Sequence, residues 1–157
     1  MNDKTLQTIK NLEAALAGES MAHIKYRYFA RICRQMGDEE TARVFEETAS
    51  QEVQHAFGHM DLLFPPESLT PEKCLQLAIE GETYEYTEMY PSFRHTALEE
   101  RQQAAVEEFD EQIAESREHA DNFQKMLDKA ARRFDALTRV EKRHAEHYQQ
   151  QLNQIEK

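Results

Sequence analysis

The stretch Glu52-Val53-Gln54-His55 places a carboxylate and an imidazole three residues apart. Residues i and i+3 are neighbours on one face of an α-helix, so both side chains can reach the same metal ion. One Glu-x-x-His pair is weak evidence for a metal site in so acidic a chain, because most Glu side chains are simply solvated. Its weight comes from a second copy of the pattern far downstream, Glu141-Lys142-Arg143-His144.

Two further carboxylates extend this pattern, and each follows a glycine, in Gly18-Glu19 and Gly81-Glu82. In ferritin-like dimetal proteins, two helices give one Glu each and the other two give Glu-x-x-His. Buried, unpaired carboxylates are costly, so inward Glu residues on four helices imply bound cations. The order of the motifs predicts an all-α, ferritin-like antiparallel four-helix bundle of two helical hairpins. Glu85 is an additional carboxylate, one turn after Glu82.

The composition excludes several classes of partner. The net charge of −11 and the pI of about 5.1 disfavour nucleic acid and anionic membranes, which both select basic surfaces. No apolar run is long enough to cross a membrane, and the N-terminus does not resemble a signal peptide. Cys33 and Cys74 form no Cys-x-x-Cys pair, which favours free thiols in a reducing compartment. We therefore expect a cytoplasmic protein that binds neither nucleic acid nor membrane.

Apolar periodicity and helix-ending residues predict where the helices lie. The first helix is expected at about residues 4–36 and the second at about 38–64. Residues 65–70 are expected to form the crossover linker between the two hairpins. The third helix should begin with Pro71 after an N-capping threonine, and Pro91 should kink it.

Residues 92–157 contain neither Gly nor Pro and have the composition of a continuous helix. As one rod this stretch would exceed roughly 90 Å, so a turn is expected within it. Symmetry with the first hairpin places that turn near residue 113, within a permitted range of 100–122. The chain is thus predicted to be one domain, residues 1–157, with an extended second hairpin and a helical insertion at about 100–125.

A weak internal repeat covers the same region. Residues 109–127 align with residues 134–152 at a shift of 25, with six of the nineteen positions identical. A shift of 25 residues is about seven helical turns, so it preserves the facing of the helix. The alternatives are a duplicated helical segment and a chance similarity between two polar helices.

The repeat leaves two candidate histidines for the fourth helix, because His119 aligns with His144. Three residues upstream, His144 has Glu141, whereas His119 has Ser116. Only His144 therefore has a carboxylate in the Glu-x-x-His position, and we predict that His144, not His119, is the ligand. The insertion would then form the outer part of the second hairpin, away from the metals.

Several stretches resemble the motifs of the rubrerythrin family, and the third of them is long and specific. The resemblance covers residues 4–98 and 130–155. The stretches are Ala17-Gly18-Glu19-Ser20, Glu52-Val53-Gln54-His55-Ala56, the run from Gly81 to Phe93 that includes Glu82, Glu85 and Tyr90-Pro91, and Glu141-Lys142-Arg143-His144.

The resemblance implies a diiron centre that reduces hydrogen peroxide to water and protects against oxidative stress. It implies that Tyr26 and Tyr90 hydrogen-bond to ligand carboxylates and so fix their orientation. In the family, one iron is thought to move between a histidine and a glutamate as the redox state changes, and here those residues are His55 and Glu85. The implied metal ligands are Glu19, Glu52, His55, Glu82, Glu85, Glu141 and His144.

No rubredoxin segment is visible, so the chain resembles the short, sulerythrin-like members of the family. The resemblance then implies a separate electron donor, such as a rubredoxin, in an NAD(P)H- or rubredoxin-linked oxidoreductase. It also implies a homodimer with two Fe ions, for which Zn or Mn could substitute in the isolated protein.

Three other functions compete with the peroxidase. A ferritin-like iron-oxidising or iron-storage protein would need a cage. A non-enzymatic helical scaffold would bind no metal. An oxygenase would need an apolar substrate pocket beside the metals, for which the sequence gives no sign.

Overall fold

The computed structural model describes the backbone of residues 3–155 and the side chains of residues 7–133 and 137–149. Every regular element in this part of the chain is helical, which confirms the predicted all-α class. No helix within it is both long and apolar enough to cross a membrane. The elements are α1 (Asp3–Gln35), α2 (Glu39–Leu63), a 3-10 turn (Pro66–Ser68), α3 (Pro71–Tyr84), a π-helical turn (Glu85–Met89), α4 (Tyr90–Glu99) and α5 (Gln103–Ile155).

The chain divides into two compact units, Met1–Leu69 and Thr70–Lys157. The division falls at the end of the expected linker, residues 65–70. Each unit is a set of antiparallel helices in its own right: α1 packs on α2 in the first, and α3 and α4 pack on α5 in the second. That the whole chain forms one domain stays a prediction.

The first unit turns at Gly37, as the sequence predicts. Its backbone has φ +86°, a left-handed conformation that glycine adopts without steric cost. The side chain of Asp38 then accepts a hydrogen bond of 3.0 Å from the backbone N–H of Thr41 and so caps α2. The two signals together end α1 and start α2 within three residues.

Alanines form the contact between α1 and α2. Ala42, Ala49 and Ala56 recur every seven residues along α2 and are buried, as is Ala30 of α1. Residues seven apart lie on the same face of a helix, and methyl side chains let two backbones approach closely. The larger side chains lie beside this contact, where Phe45 packs against the rings of Tyr26 and Phe29.

Arg34 connects the two helices of the first unit across their turn. Its guanidinium donates hydrogen bonds of 2.8 Å to Glu39 and of 2.8 Å to Glu46. These bonds lower the pKa of both carboxyl groups below the ordinary value of 4.5. A lowered pKa in the folded state means that the ion pairs stabilise the fold fully above about pH 4.5 and progressively less as the pH falls through the lowered values.

We therefore expect Arg34→Met to flatten the acid dependence of stability. Wild type should lose more unfolding free energy between pH 7 and pH 3.5 than the variant does, because the variant has no pairs to lose. Urea unfolding at both pH values measures the difference. Lys10→Met, at an exposed position of α1, is the control and should keep the wild-type dependence. Identical acid dependences for wild type and Arg34→Met would contradict the assignment.

The third predicted helix is interrupted as expected, although by a wider turn and not by a simple kink. Thr70 caps α3 and Pro71 occupies its first turn, and both features were predicted. Immediately before Pro91 the backbone widens into the π-helical turn, where the N–H of Tyr90 bonds to the carbonyl oxygen of Glu85. Proline has no N–H to give to the residue four before it, so a regular α-helix cannot continue through this position.

The turn between α4 and α5 lies at residues 100–102, within the range of 100–122. The prediction that the turn lies near residue 113 is wrong, because Ile113 lies inside α5. Arg101 has φ +59° and makes the turn in the left-handed region without a glycine, which is why no sequence signal marked it. Residues 100–125 were expected to be the outer part of the second hairpin, but in the structure α5 packs on α3 and α4 through this stretch.

Aromatic rings and small residues hold the second unit together. Phe109 of α5 packs against Tyr90 and Phe93 of α4, with ring centroids 6.1 Å and 5.9 Å away. Val106 and Ala120 of α5 are buried as well. Farther along α5, almost all described side chains of residues 137–149 are exposed.

Candidate metal centre

The first unit brings together three of the predicted ligands. Glu19 lies on α1, and Glu52 and His55 lie one turn apart on α2. One ligand atom from each lies within 4.8 Å of the others. The Nδ1 atom of His55 is 2.9 Å from Oε2 of Glu52. Two carboxylates and an imidazole at this separation form a donor set that suits Fe, Mn or Zn.

Burial gives these three residues different roles. The side chain of Glu52 is only 15% exposed, whereas that of His55 is 59% exposed. Glu19 is half-buried. The unit thus presents two partly shielded carboxylates beside an exposed imidazole.

The second unit places Glu82 and Glu85 against α5. An oxygen of Glu82 lies 3.4 Å from Nδ1 of His119, and the hydroxyl of Ser116 donates a hydrogen bond of 3.1 Å to Glu85. Ser116 is the buried polar residue of this contact, at 3% exposed. Ser116 and His119 are three residues apart on α5, so both carboxylates reach the same face of this helix.

Glu82 leaves one oxygen without a partner. Its Oε2 atom is buried, and no hydrogen bond reaches it within the described part of the chain. A buried carboxylate oxygen without a donor is costly, and buried polar atoms are normally paired. A cation would supply the missing partner, so the residues of this unit fit the metal site that the sequence implies.

The two tyrosines implied as carboxylate partners occupy different surroundings. Burial first, and then the carboxylates of Glu85, Glu82 and Glu108, raise the pKa of Tyr90 above its ordinary value of 10.0. Its hydroxyl therefore keeps its proton and can act as a donor near neutral pH. Tyr26 is half-buried against Phe45. Their hydrogen bonds to ligand carboxylates stay predictions.

The structure does not bring Glu141 and His144 to Glu82. α5 is one continuous helix, so His144 lies about 37 Å beyond His119 along its axis. Both residues are exposed. That Glu141 and His144 are metal ligands stays a prediction. In the structure, the continuous α5 keeps both residues away from Glu82 of the same chain.

Sequence reasoning did not select Ser116 and His119, although a signal for them existed. The repeat aligns His119 with His144, and a shift of seven turns leaves both on the same face. The choice of His144 depended on Glu141, three residues upstream, and on symmetry with the first hairpin. No residue pattern predicted that α5 begins at Gln103. This starting point places His119 opposite Glu82.

Comparison with known proteins identifies the family of the chain. The sequence model of the rubrerythrin family matches residues 10–63 and 61–127. The chain belongs to the rubrerythrin family. The resemblance seen in the sequence motifs is thereby confirmed, and with it the ferritin-like class of the fold. The match to the rubrerythrin model includes Ser116 and His119 and ends before Glu141.

Individual rubrerythrin relatives cover different shares of the chain. Nigerythrin of Nitratidesulfovibrio vulgaris is 36% identical over 129 residues, which are 74% of this chain and 63% of nigerythrin. Rubrerythrin of Porphyromonas gingivalis is 38% identical over 108 residues, 62% of this chain and 54% of that protein. The chain therefore spans less than two thirds of the length of these relatives.

A longer sequence match and a match to a solved structure complete the comparison. A putative rubrerythrin of Methanocaldococcus jannaschii is 30% identical over 141 residues, 77% of this chain and 69% of that protein. The solved structure of nigerythrin in its fully reduced, all-ferrous state is 33% identical, with a TM-score of 0.41, and the match covers 79% of this chain and 67% of that one.

Proposed function

We propose that the chain is a non-haem diiron peroxidase that reduces hydrogen peroxide to water with electrons from a separate donor protein. The observation that carries the proposal is the cluster of Glu19, Glu52 and His55. Membership of the rubrerythrin family supports a diiron centre at this cluster.

The proposed metal ligands lie on both units of the chain. Glu19, Glu52 and His55 would hold metal from the first unit. Glu82 and Glu85 would hold it from the second, with a histidine of α5, for which we keep His144 as the proposed ligand beside Glu141. The unpaired oxygen of Glu82 supports a ligand role for this carboxylate. When bound, two ferrous ions would supply the two electrons that peroxide reduction requires.

The remaining groups would orient the ligands. Tyr90 keeps its hydroxyl proton because burial and nearby carboxylates raise its pKa. It would donate a hydrogen bond to a ligand carboxylate, as Tyr26 would in the first unit, and so hold the carboxylate in one orientation. The exposed imidazole of His55 would be free to exchange with Glu85 as the redox state changes.

The electron donor, the assembly and the compartment complete the proposal. A rubredoxin or a similar small redox protein would reduce the centre, either directly or as part of an NAD(P)H-linked chain. The protein would act as a homodimer in the cytoplasm. Zn or Mn would bind the same oxygen and nitrogen donors in protein isolated under air.

The direct test is anaerobic loading with ferrous iron followed by addition of hydrogen peroxide. We expect iron to bind at about two ions per chain, as in other dimetal helical bundles, and to be oxidised in step with peroxide loss. Rapid oxidation by dioxygen with growth of a mineral, and slow reaction with peroxide, would favour the iron-storage alternative. No iron uptake would overturn both.

We expect Glu85→Ala to slow peroxide turnover more than it reduces iron loading. The other carboxylates and histidines would still hold both ions, but the oxidised centre would lose an oxygen donor. Iron content by elemental analysis and peroxide consumption under single-turnover conditions give the two values. Glu88→Ala, an exposed carboxylate of the same π-helical turn, is the matched control. Equal losses of iron and of turnover would instead make Glu85 a ligand in both redox states.

A further inference from the structure

Ser116 uses its hydroxyl in a different way from several other hydroxyl residues of the helices. A serine or threonine in a helix often donates a hydrogen bond to the carbonyl oxygen four residues earlier. The residues that do so here include Thr48, Ser50, Thr87 and Thr96. Ser116 instead donates across the second unit to Oε2 of Glu85, at 3.1 Å. This hydrogen bond joins α5 to the first residue of the π-helical turn.

The hydrogen bond between Ser116 and Glu85 is shielded from water. Ser116 is 3% exposed and is the only buried polar residue among those whose side chains the structure describes. Glu85 is half-buried. A carboxylate oxygen that is removed from water depends on donors from the protein, and the loss of a donor costs more than the bond contributes on balance. Ser116 therefore gives Glu85 a partner that bulk water does not replace at full strength.

The neighbouring carboxylate, Glu82, has the opposite arrangement. Its Oε1 atom lies 3.4 Å from Nδ1 of His119, whereas its Oε2 atom is buried and receives no hydrogen bond from any described residue. A cation would supply the partner that Oε2 of Glu82 lacks. At Glu85, a cation that binds Oε2 must first displace the hydroxyl of Ser116. The two carboxylates therefore differ in how readily they bind a metal ion.

We propose that Ser116 is a positioning residue that makes Glu85 the reversible carboxylate ligand of the second unit. The hydroxyl of Ser116 and a metal ion would compete for Oε2 of Glu85. Glu82 would stay bound throughout, because no donor competes for its buried oxygen. The inference rests on the proposed function, in which Glu85 joins and leaves the metal as the redox state changes.

A reversible ligand in this position needs a second partner of moderate strength. A half-buried carboxylate that leaves a metal ion would otherwise keep a poorly solvated charge, which is unfavourable. The bond of 3.1 Å is longer than the roughly 2.5–2.7 Å of a strong hydroxyl–carboxylate bond. Ser116 can therefore receive Glu85 without holding it too strongly for a metal ion to recover it.

The variant Ser116→Ala separates this role from simple packing. Alanine removes the hydroxyl and nearly preserves the volume, so the helices should still pack. Metal-free, full-length protein should unfold at a lower urea concentration than wild type, because Oε2 of Glu85 loses its donor. The same loss should tighten Mn²⁺ binding by about tenfold, since the cation no longer displaces a hydrogen bond. Calorimetric titration with Mn²⁺, which suits carboxylate ligands, measures the affinity.

A double-mutant cycle shows whether Ser116 acts through Glu85. In a Glu85→Gln background the carboxylate is absent, so the further change Ser116→Ala should leave the affinity for Mn²⁺ unchanged. Ser92→Ala makes the same chemical change at an exposed position of α4 and is the matched control. It should equal wild type both in stability and in affinity for Mn²⁺.

Two results would overturn the inference and leave the proposed function in place. If Ser116→Ala binds Mn²⁺ as wild type does, or more weakly, the hydroxyl does not compete with the metal ion and its role is structural. If the gain in affinity persists in the Glu85→Gln background, Ser116 acts on a different ligand. If wild type takes up neither Mn²⁺ nor ferrous iron, the proposed function fails, and the inference fails with it.

Discussion

Replacing Glu52 by glutamine is expected to lower iron binding from roughly two ions per chain to less than one. Glutamine keeps the shape of the side chain but not its charge, and a neutral amide is a weaker ligand than a carboxylate for a divalent cation. Glu52 lies at the centre of the first unit's cluster, where it contacts His55 and lies near Glu19. Peroxide turnover should fall by more than the ~10–100-fold that loss of an outer hydrogen-bond partner costs.

Elemental analysis and peroxide consumption measure these two losses, and circular dichroism checks that the helices remain. Glu47→Gln, an exposed position of α2 five residues earlier, makes the same chemical change outside the cluster and should behave like wild type. Iron binding and turnover that survive Glu52→Gln unchanged would remove this cluster from the proposed centre.

A leucine at position 42 should destabilise the first unit by ~1–3 kcal/mol, the usual cost of overpacking a tight contact. Ala42 is fully buried where α1 and α2 approach each other, and the next buried alanines, Ala49 and Ala56, repeat the contact every seven residues. The interface could accommodate the additional carbons of leucine only if the two helices moved apart or if the side chain adopted an unfavourable rotamer.

Urea unfolding followed by circular dichroism gives the free-energy difference. Glu47→Leu adds an apolar side chain of the same size to the exposed face of α2, and we expect it to change stability by no more than ~0.5 kcal/mol. Equal unfolding midpoints for Ala42→Leu and Glu47→Leu would mean that the interface accommodates larger side chains than its geometry indicates.

The features of the fold that depend on local chemistry were predictable from the sequence. Gly37 and Asp38 define the first turn, and Thr70-Pro71 defines the start of α3, because glycine, an N-cap and an N1 proline each act within a few residues. The turn at Arg101 could not be predicted, because arginine has no preference for the left-handed backbone conformation that it adopts there. Symmetry was then the only guide, and it placed the turn too late.

The candidate site divides in the same way. Glu19, Glu52 and His55 were predictable because two helices joined by a short turn allow only one register. The position of His119 beside Glu82 was not predictable, because it depends on where α5 begins. Residues 25 apart lie on the same face of a helix, so the facing of α5 cannot tell whether His119 or His144 lies beside Glu82. Only the contact of His119 with Glu82 distinguishes the two.

The π-helical turn has a consequence for how the length of this chain can change. A π turn accommodates one more residue than an α turn does, so its five residues behave as a local insertion. Deleting one residue there would restore an α-helix and rotate everything that follows by roughly 100°. Tyr90 would then turn away from the side of Glu82, and Phe93 away from α5. Natural variants of this chain should therefore conserve the number of residues between Glu82 and Tyr90 more strictly than their identities.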